Sequence, residues 1–248
     1  MRFLSSVLTL ASCLVISTIA KADSVPPAFA IQEIDLPTQF AEVFSLSFGT
    51  LPDSDGLGSF GQTTAFNSQS PSGSASLTTT GRSGFSFSSL FYDFEVEGPV
   101  GTEVNLNLSA VGNSMTNSSV GIASGAVLSV FSPDLATTYF QSPACAGDLA
   151  VEVQNFDGFC NGAPTAFDLG VVLRVNANQL YTINLLDAVF GTGTGVASID
   201  PTLSLTAGES ADYTLLLSPN LVATPEPSTL ALLGTGALGI FRFVRRRK

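Results

Sequence analysis

Apolar side chains alternate with polar ones along much of the chain, and this period of two constrains the fold more than any other feature. The pattern begins at Phe40, and Phe44, Leu46 and Phe48 are spaced two residues apart. Such spacing puts successive side chains on opposite faces of a β-strand. No segment after Phe40 and before the C-terminal tail shows a convincing 3.6-residue period. The sequence therefore predicts an all-β domain.

The alternation recurs in short segments along the rest of the chain: 85–96, 104–108, 126–131, 149–153, 171–175, 181–186, 202–206 and 213–217. Turn-forming residues separate them, as at 52–56, 97–99 and 132–134. Many short strands joined by turns predict a jelly-roll-like β-sandwich, with a barrel as the alternative.

Four local features carry their own expectations. A change of register near Ser88 and Ser89 predicts a β-bulge. The Ser-rich segment 67–84 is either a long loop or two polar edge strands. The Gly-rich segment 191–195 lacks the Lys and the helix of a phosphate-binding loop and is interpreted as a hairpin connection. Pro201 is expected at the start of an edge strand.

The N-terminus has the three parts of a secretory signal peptide. Arg2 is followed by an apolar stretch over 3–19 and then by Ala20, Lys21 and Ala22. Small residues at this spacing mark a cleavage site, so Asp23 is the expected first residue of the mature chain. An uncleaved anchor helix is the alternative.

The charge balance restricts the possible partners. Nineteen acidic residues lie between Asp23 and Thr224, with only Arg82 and Arg174 as basic ones, so this region has a net charge near −17. Such a surface repels nucleic acid and anionic lipid.

The cysteines predict a structural disulfide. Cys13 leaves with the signal peptide, which leaves Cys145 and Cys160 in an oxidising compartment. The chain has no His, and a metal site or a catalytic Cys normally needs more ligands or a His partner. No metal or cofactor is expected.

The lack of His also removes the commonest general base and Ser-His-Asp triads. A carboxylate pair of the glycosidase type remains open, with Asp93, Glu95 and Glu97 alternating along one strand. A solvated acidic strand face is the preferred interpretation. The segment 53–56 resembles the start of a calcium loop, but position 64 is Thr where an EF-hand needs Glu, so an acidic turn is favoured.

The C-terminus combines a short motif, an apolar run and a basic cluster. Pro225, Glu226 and Pro227 precede the apolar segment 230–241. The basic residues that follow are Arg242, Arg245, Arg246, Arg247 and Lys248. A full membrane span needs about 20 apolar residues, so this segment is a weak anchor, expected as a short hydrophobic helix with its basic end in the cytoplasm.

This arrangement resembles the PEP-CTERM sorting signal of Gram-negative bacteria, whose tail is also labelled an ice-binding protein C-terminal domain. The resemblance implies processing by an exosortase, a membrane protease-transpeptidase, in a bacterium that makes exopolysaccharide. The expected division is a signal peptide over 1–22, an exported β-sandwich over 23–223 and a sorting signal over 224–248. Thr78, Thr79 and Thr80 form no repeated ladder, so the ice-binding label is not extended to the domain.

The function expected from these features is a non-enzymatic structural or interaction role. The domain is expected at the cell surface or in the extracellular biofilm matrix, with exopolysaccharide as a partner. The alternative is a carbohydrate-binding or adhesive module whose platform consists of the four tyrosines, Tyr92, Tyr139, Tyr181 and Tyr213. An enzyme that acts on glycans through carboxylates is the third hypothesis.

Overall fold

A computed structural model of the 248-residue chain describes residues 25–45, 49–56, 58–67, 70–118, 121–134, 138–147, 163–219 and 221. Within these residues the chain is almost entirely β-structure, with thirteen strands and one short 3-10 helix, Glu209–Ala211. None of the helical structure in these segments is long and apolar enough to cross a membrane. The predicted C-terminal helix and the predicted strand at 149–153 lie outside the described residues.

The strands form two antiparallel sheets, which confirms the predicted β-sandwich. In chain order the strands are β1 Phe29–Leu36, β2 Gln39–Ser45, β3 Gly49–Ser54, β4 Phe60–Asn67, β5 Ser70–Thr78, β6 Gly84–Glu97, β7 Glu103–Thr116, β8 Ile122–Phe131, β9 Thr138–Gly147, β10 Ala166–Asn176, β11 Leu180–Gly191, β12 Thr194–Leu205 and β13 Thr214–Leu217.

Sheet I has the order β2-β1-β6-β11-β8-β9, with β13 also paired to β6. Sheet II has the order β10-β7-β12-β5-β4-β3. The inward side chains of both sheets form one apolar core, in which Leu90, Phe94, Leu106 and Ile183 are fully buried. The period of two in the sequence thus corresponds to the burial of every second side chain in this core.

The β-structure begins earlier than the sequence predicted. Strand β1 starts at Phe29, and its inward positions Ala30, Ile34 and Leu36 are buried. This strand was not predicted because the outward positions Phe29 and Ile31 are apolar and the inward position Gln32 is polar, so apolar and polar residues do not alternate cleanly here.

The predicted β-bulge at Ser88 and Ser89 is wrong. Strand β6 keeps one continuous register against both β1 and β11. Ser86 and Ser88 point into the core, where their hydroxyls donate to the carbonyl oxygens of Gln62 and Thr64 at 3.2 Å each. These hydrogen bonds to the opposite sheet satisfy the buried hydroxyls. The larger side chains of Phe85 and Phe87 then lie on the outer face of sheet I, against Val127 and Ala188.

The Ser-rich segment is a strand, but not an edge strand. Strand β5 lies between β12 and β4 inside sheet II. Pro201 likewise lies within β12 rather than at its start, two residues beyond Ile199, where pairing with β5 ends. Proline is tolerated at this position because β12 no longer pairs with β5 there, so no partner strand on that side needs an N–H from residue 201.

The Gly-rich segment 191–195 is not a hairpin. It connects β11 in sheet I to β12 in sheet II, so the chain changes sheets here. Gly193 has a φ of 137°, a conformation that side chains rarely allow. The N–H of Gly193 donates to Thr79 Oγ1 at 3.0 Å, and its carbonyl accepts from the Thr79 N–H at 2.8 Å.

Candidate functional site

The predicted sorting residues all lie outside the described residues. These are the signal cleavage residues Ala22 and Asp23, the motif Pro225, Glu226 and Pro227, and the basic cluster Arg242, Arg245, Arg246, Arg247 and Lys248. The structure does describe the nearest residues of the domain, from Val25 at its start to Leu221 at its end.

Cys145 lies in β9 on the outer face of sheet I. Its side chain is buried next to Val127 and Ala188, and its N–H donates to the Pro164 carbonyl at 2.8 Å. The predicted partner, Cys160, lies outside the described residues, so the pairing stays a prediction.

The acidic residues of β6 are on the outer face of sheet I. The Asp93 carboxylate accepts a hydrogen bond from the Thr182 hydroxyl at 2.6 Å. Burial raises the pKa of the Asp93 carboxyl above its ordinary value, and the hydrogen bond from Thr182 partly opposes this. Glu97 is exposed and Glu95 half-buried. Asp93 is therefore held by its neighbour on β11.

The acidic turn after β3 is closed by its own backbone. Asp53 Oδ1 accepts from the Ser54 N–H at 2.8 Å, and Asp55 Oδ1 accepts from the Ser59 N–H at 2.9 Å. One carboxyl oxygen of each acid is thus bound to a backbone N–H of the same turn. Among the described residues, no group of three His, Cys, Asp or Glu side chains is placed to hold a metal ion.

The four tyrosines do not share an exposed face. Tyr92 and Tyr181 are buried, and burial raises the pKa of the Tyr92 hydroxyl. Tyr213 packs against Gly98, while Tyr139 is the one that is well exposed. The proposed tyrosine platform for a sugar is therefore not formed.

The sandwich contains a polar layer that was not predicted from the sequence. Gln32, Ser88 and Asp187 are cross-strand neighbours on β1, β6 and β11. Gln32 Nε2 donates to Thr63 Oγ1 at 3.0 Å, across to sheet II. Asp187 is 0% exposed, and within the described structure neither carboxyl oxygen has a hydrogen-bond partner.

Burial raises the pKa of the Asp187 carboxyl well above its ordinary value. The opposite residue on β5 is Gly73, where an added Cβ would lie 2.3 Å from Asp187 Oδ2. A single carboxyl without solvent access, packed this closely against β5, has neither a second acid-base group nor room for a substrate. In the sequence, Asp187 is marked only as an acidic residue at an inward position of β11. No other feature of the sequence distinguishes it.

Part of the outer face of sheet II is uncharged. One row runs across five strands and consists of Thr50, Thr64, Ser74, Ser198 and Asn113. The next row consists of Pro52, Gln62, Ser76, Val196 and Met115. We call these ten residues the hydroxyl face. Along each strand these outward residues alternate with buried ones. Within a row, residues on adjacent strands lie about 4.8 Å apart.

The hydroxyl face could not be read along the chain because each row collects residues from five different strands. Thr50 and Thr64 pair through their hydroxyl oxygens at 3.1 Å. The first charged residues appear one row further on, where Asp168 and Asp200 flank Val111. The face is thus a neutral area on a strongly acidic domain.

Sheet I carries a patch of three stacked phenylalanines on its outer face. The rings of Phe29 and Phe91 have centroids 4.9 Å apart, and those of Phe29 and Phe44 are 5.4 Å apart. We call Phe29, Phe44 and Phe91 the phenylalanine patch. Phe44 lies on β2, an edge strand of sheet I, and remains 58% exposed.

Three carboxylates lie further along the same strands. Glu33 and Glu42 are directly opposite each other on β1 and β2, and Asp35 follows two residues after Glu33. Burial raises the pKa of the Glu33 carboxyl, and the charges of Glu42 and Asp35 raise it further. Like charges in direct opposition repel, which makes this the acidic end of the face.

Both ends of the described chain meet beside the phenylalanine patch. The Ser218 hydroxyl donates to the Pro26 carbonyl at 2.7 Å and accepts from the Asp93 N–H at 2.9 Å. Pro26 precedes Phe29 by three residues, and Asp93 follows Phe91 by two. The segment that continues to the C-terminal tail therefore leaves the domain at this point.

Comparison with protein families connects this exit to a known signal. Residues 223–248 match the family described as the PEP-CTERM protein-sorting motif. The chain carries a PEP-CTERM sorting motif. That motif implies export, membrane anchoring through the C-terminal segment before processing, and processing by an exosortase-type membrane enzyme. The match covers the tail and does not extend into the sandwich.

Other comparisons add little to the PEP-CTERM match. No curated protein matches the chain. One solved structure, described as that of the infectious bursal disease virus Gx strain, is 12% identical with a TM-score of 0.22. That match covers 81% of this chain and 56% of the viral chain. A TM-score of this size carries no argument about the fold or the function.

Proposed function

We propose that this chain is a non-enzymatic exported protein that an exosortase-type system delivers to the cell surface or the exopolysaccharide matrix. There the sandwich acts as a structural or interaction domain. The observation that carries the proposal is the PEP-CTERM motif at 223–248. The predicted signal peptide and the net charge near −17 of residues 23–224 support export and argue against nucleic acid as a partner.

The non-enzymatic part of the proposal rests on side-chain chemistry. The chain has no His. Asp93 is bound to Thr182, and Asp187 is closed inside the core. A carboxylate enzyme needs two acids on either side of an accessible substrate. An assay of the purified protein on the exopolysaccharide tests this: unchanged polymer length is expected, and depolymerisation that Asp93→Asn abolishes would overturn the proposal.

The decisive experiment is intact-mass measurement with terminal peptide mapping of the native protein, taken from its own membranes and culture supernatant. The expected mature form starts at Asp23 and ends close to Pro225. A supernatant form that retains Lys248 would contradict processing at the motif. A parallel variant with Pro225, Glu226 and Pro227 replaced by Ala is expected to stay in the membrane fraction, whereas Arg82→Ala should leave the distribution unchanged.

A second candidate function is direct binding of a neutral polysaccharide by the hydroxyl face. The observation that favours it is an uncharged area of hydroxyl, amide and apolar side chains on an otherwise acidic domain. Hydroxyl and amide groups hydrogen-bond to sugar hydroxyls, and an uncharged surface does not repel the polymer.

Affinity electrophoresis in gels that contain the purified exopolysaccharide tests this second candidate. The wild type is expected to be retarded, and Ser74→Glu, which puts one charge in the middle of the hydroxyl face, should restore free mobility. Val100→Glu, in an exposed turn, is the matched control for one added charge and should remain retarded. Equal mobility of all three proteins relative to a gel without polymer would reject the hydroxyl face as a binding surface.

A further inference from the structure

We propose that the phenylalanine patch is a second contact between the domain and the bilayer, made while the C-terminal segment is still in the membrane. The sorting motif assigns the membrane contact to the tail alone. This inference rests on the anchored stage of the proposed function, so its test measures anchoring and patch contact separately.

The first argument is the place where the chain leaves the domain. Ser218 links the Pro26 carbonyl to the Asp93 N–H, and these two residues adjoin Phe29 and Phe91 of the patch. Leu221, the last described residue, has its N–H bonded to the Ser218 carbonyl at 3.0 Å. The exit of the tail and the patch are therefore neighbours on the same edge of sheet I.

The second argument is the length of chain between this exit and the apolar segment. Nine residues lead from Leu221 to Leu230. Even when fully extended they span about 30 Å. With the apolar segment in the bilayer, Leu221 stays within that distance of the lipid surface for as long as the tail is uncut, and the domain that carries the patch is held there with it.

The third argument is the chemistry of the patch. Phe44 is 58% exposed on an edge strand, and the neighbouring rings of Phe29 and Phe91 extend the apolar surface behind it. Phenylalanine is among the residues that proteins insert at the boundary between headgroups and acyl chains. The acidic side chains Glu33, Glu42 and Asp35 lie one or two rows away and favour a zwitterionic over an anionic surface.

Three phenylalanines on an acidic domain give a weak contact, and the tail compensates for this weakness. A short tether holds the patch at an effective concentration in the millimolar range. Cleavage at the motif would remove the anchor and the tether together. The domain would then leave the membrane in one step, without a separate release event.

The absence of Trp from the sequence allows a clean test with the full chain. Phe44→Trp places a single fluorescent reporter in the patch, and Val172→Trp, 61% exposed on β10 of sheet II, is the matched control. Each protein is reconstituted into phosphatidylcholine vesicles with and without brominated acyl chains. Flotation measures anchoring, and circular dichroism confirms that both variants keep the β-sandwich.

Brominated lipid is expected to quench the Phe44→Trp variant roughly twofold and the Val172→Trp variant by less than about a tenth, because only the patch reaches the acyl chains. Replacing part of the lipid with phosphatidylglycerol should reduce the quenching of the Phe44→Trp variant. Flotation with equal, weak quenching of both variants would overturn the patch contact and leave anchoring intact. Chains that fail to float would overturn both.

Two other occupants of the patch give different results in the same experiment. If the chain's own tail buries the reporter of the Phe44→Trp variant, its emission would shift to the blue without quenching by brominated lipid. Burial by a second copy would depend on the ratio of protein to lipid. Either result would overturn contact with the bilayer.

Discussion

At the scale of single residues, Asp187 is the most informative side chain of the core. It is fully buried between the sheets, and in the described part of the chain its carboxyl oxygens have no hydrogen-bond partner. A buried ionised carboxylate is so costly that the group takes up a proton instead. The sequence placed an acid at an inward position of a strand, but only the packing of sheet II against it shows that water is excluded.

Replacing Asp187 with Asn should stabilise the domain at neutral pH. Because the pKa of Asp187 is raised in the folded state, its contribution to stability is fully present below the unfolded pKa and is lost as the pH rises towards the folded pKa. We expect Asp187→Asn to be more stable than wild type at pH 7, because the wild-type carboxyl must take up a proton on folding at that pH and the amide need not. The gain should shrink towards pH 4.

Urea unfolding between pH 4 and pH 8 measures this difference. Asp168→Asn, on the exposed side of β10, controls for the loss of one negative charge and should show a much smaller change. A gain from Asp187→Asn that is the same at every pH would mean that the carboxyl is not protonated in the folded state.

Gly73 and Asp187 should be energetically coupled. A Cβ at position 73 would lie 2.3 Å from Asp187 Oδ2, so we expect Gly73→Ala to destabilise the domain by roughly 1–3 kcal/mol. In an Asp187→Ala background the same change should cost less than about 1 kcal/mol, because the clashing atom is gone. A double-mutant cycle measured by urea unfolding checks this, and strictly additive effects would contradict the contact.

At the scale of elements, β6 is a strand whose inward face is not evident from the sequence. Phe85 and Phe87 have the more apolar side chains, yet Ser86 and Ser88 occupy the inward positions. The hydrogen bonds of these serines to sheet II make the inward placement possible. A one-residue slip would exchange the two faces. The change in apolar spacing along β6 predicts a bulge, but the strand keeps one register against both neighbours.

The hydroxyl of Ser218, the residue after β13, links the segment before β1 to β6. We expect Ser218→Ala to lower the free energy of unfolding by about 1–3 kcal/mol, since the Pro26 carbonyl and the Asp93 N–H each lose a partner. Hydrogen exchange of the Asp93 amide should become faster. Ser204→Ala, on the exposed side of β12, is the control. An unchanged Asp93 amide would contradict the role given to Ser218.

At the scale of the whole molecule, the predicted disulfide would tie the end of β9 to residue 160. We expect Cys160→Ser to cost about 3 kcal/mol in the chain-entropy account of a loop of this length. Intact mass after alkylation without reductant checks the pairing in the mature protein, where no label is expected. Labelling of both Cys145 and Cys160 would contradict the disulfide.

The class of fold and the sorting signal were both determined by the sequence alone. Alternation of apolar residues is a local property, so it predicts strands without knowledge of their partners. The PEP-CTERM motif is also local, because another protein reads it as a short linear segment. The segments 126–131, 171–175, 181–186 and 213–217 were accordingly predicted within or next to observed strands.

Only the tertiary structure decided which strands are neighbours and which face each side chain takes. The hydrogen bond from Asn184 to Ser89 joins residues 95 positions apart, and no local pattern encodes such a pairing. The burial of Asp187, the rows of the hydroxyl face and the meeting of the chain ends beside Phe29 all follow from contacts of this kind. They depend on the free energy of packing the two sheets together, which belongs to the whole chain and to no single segment of it.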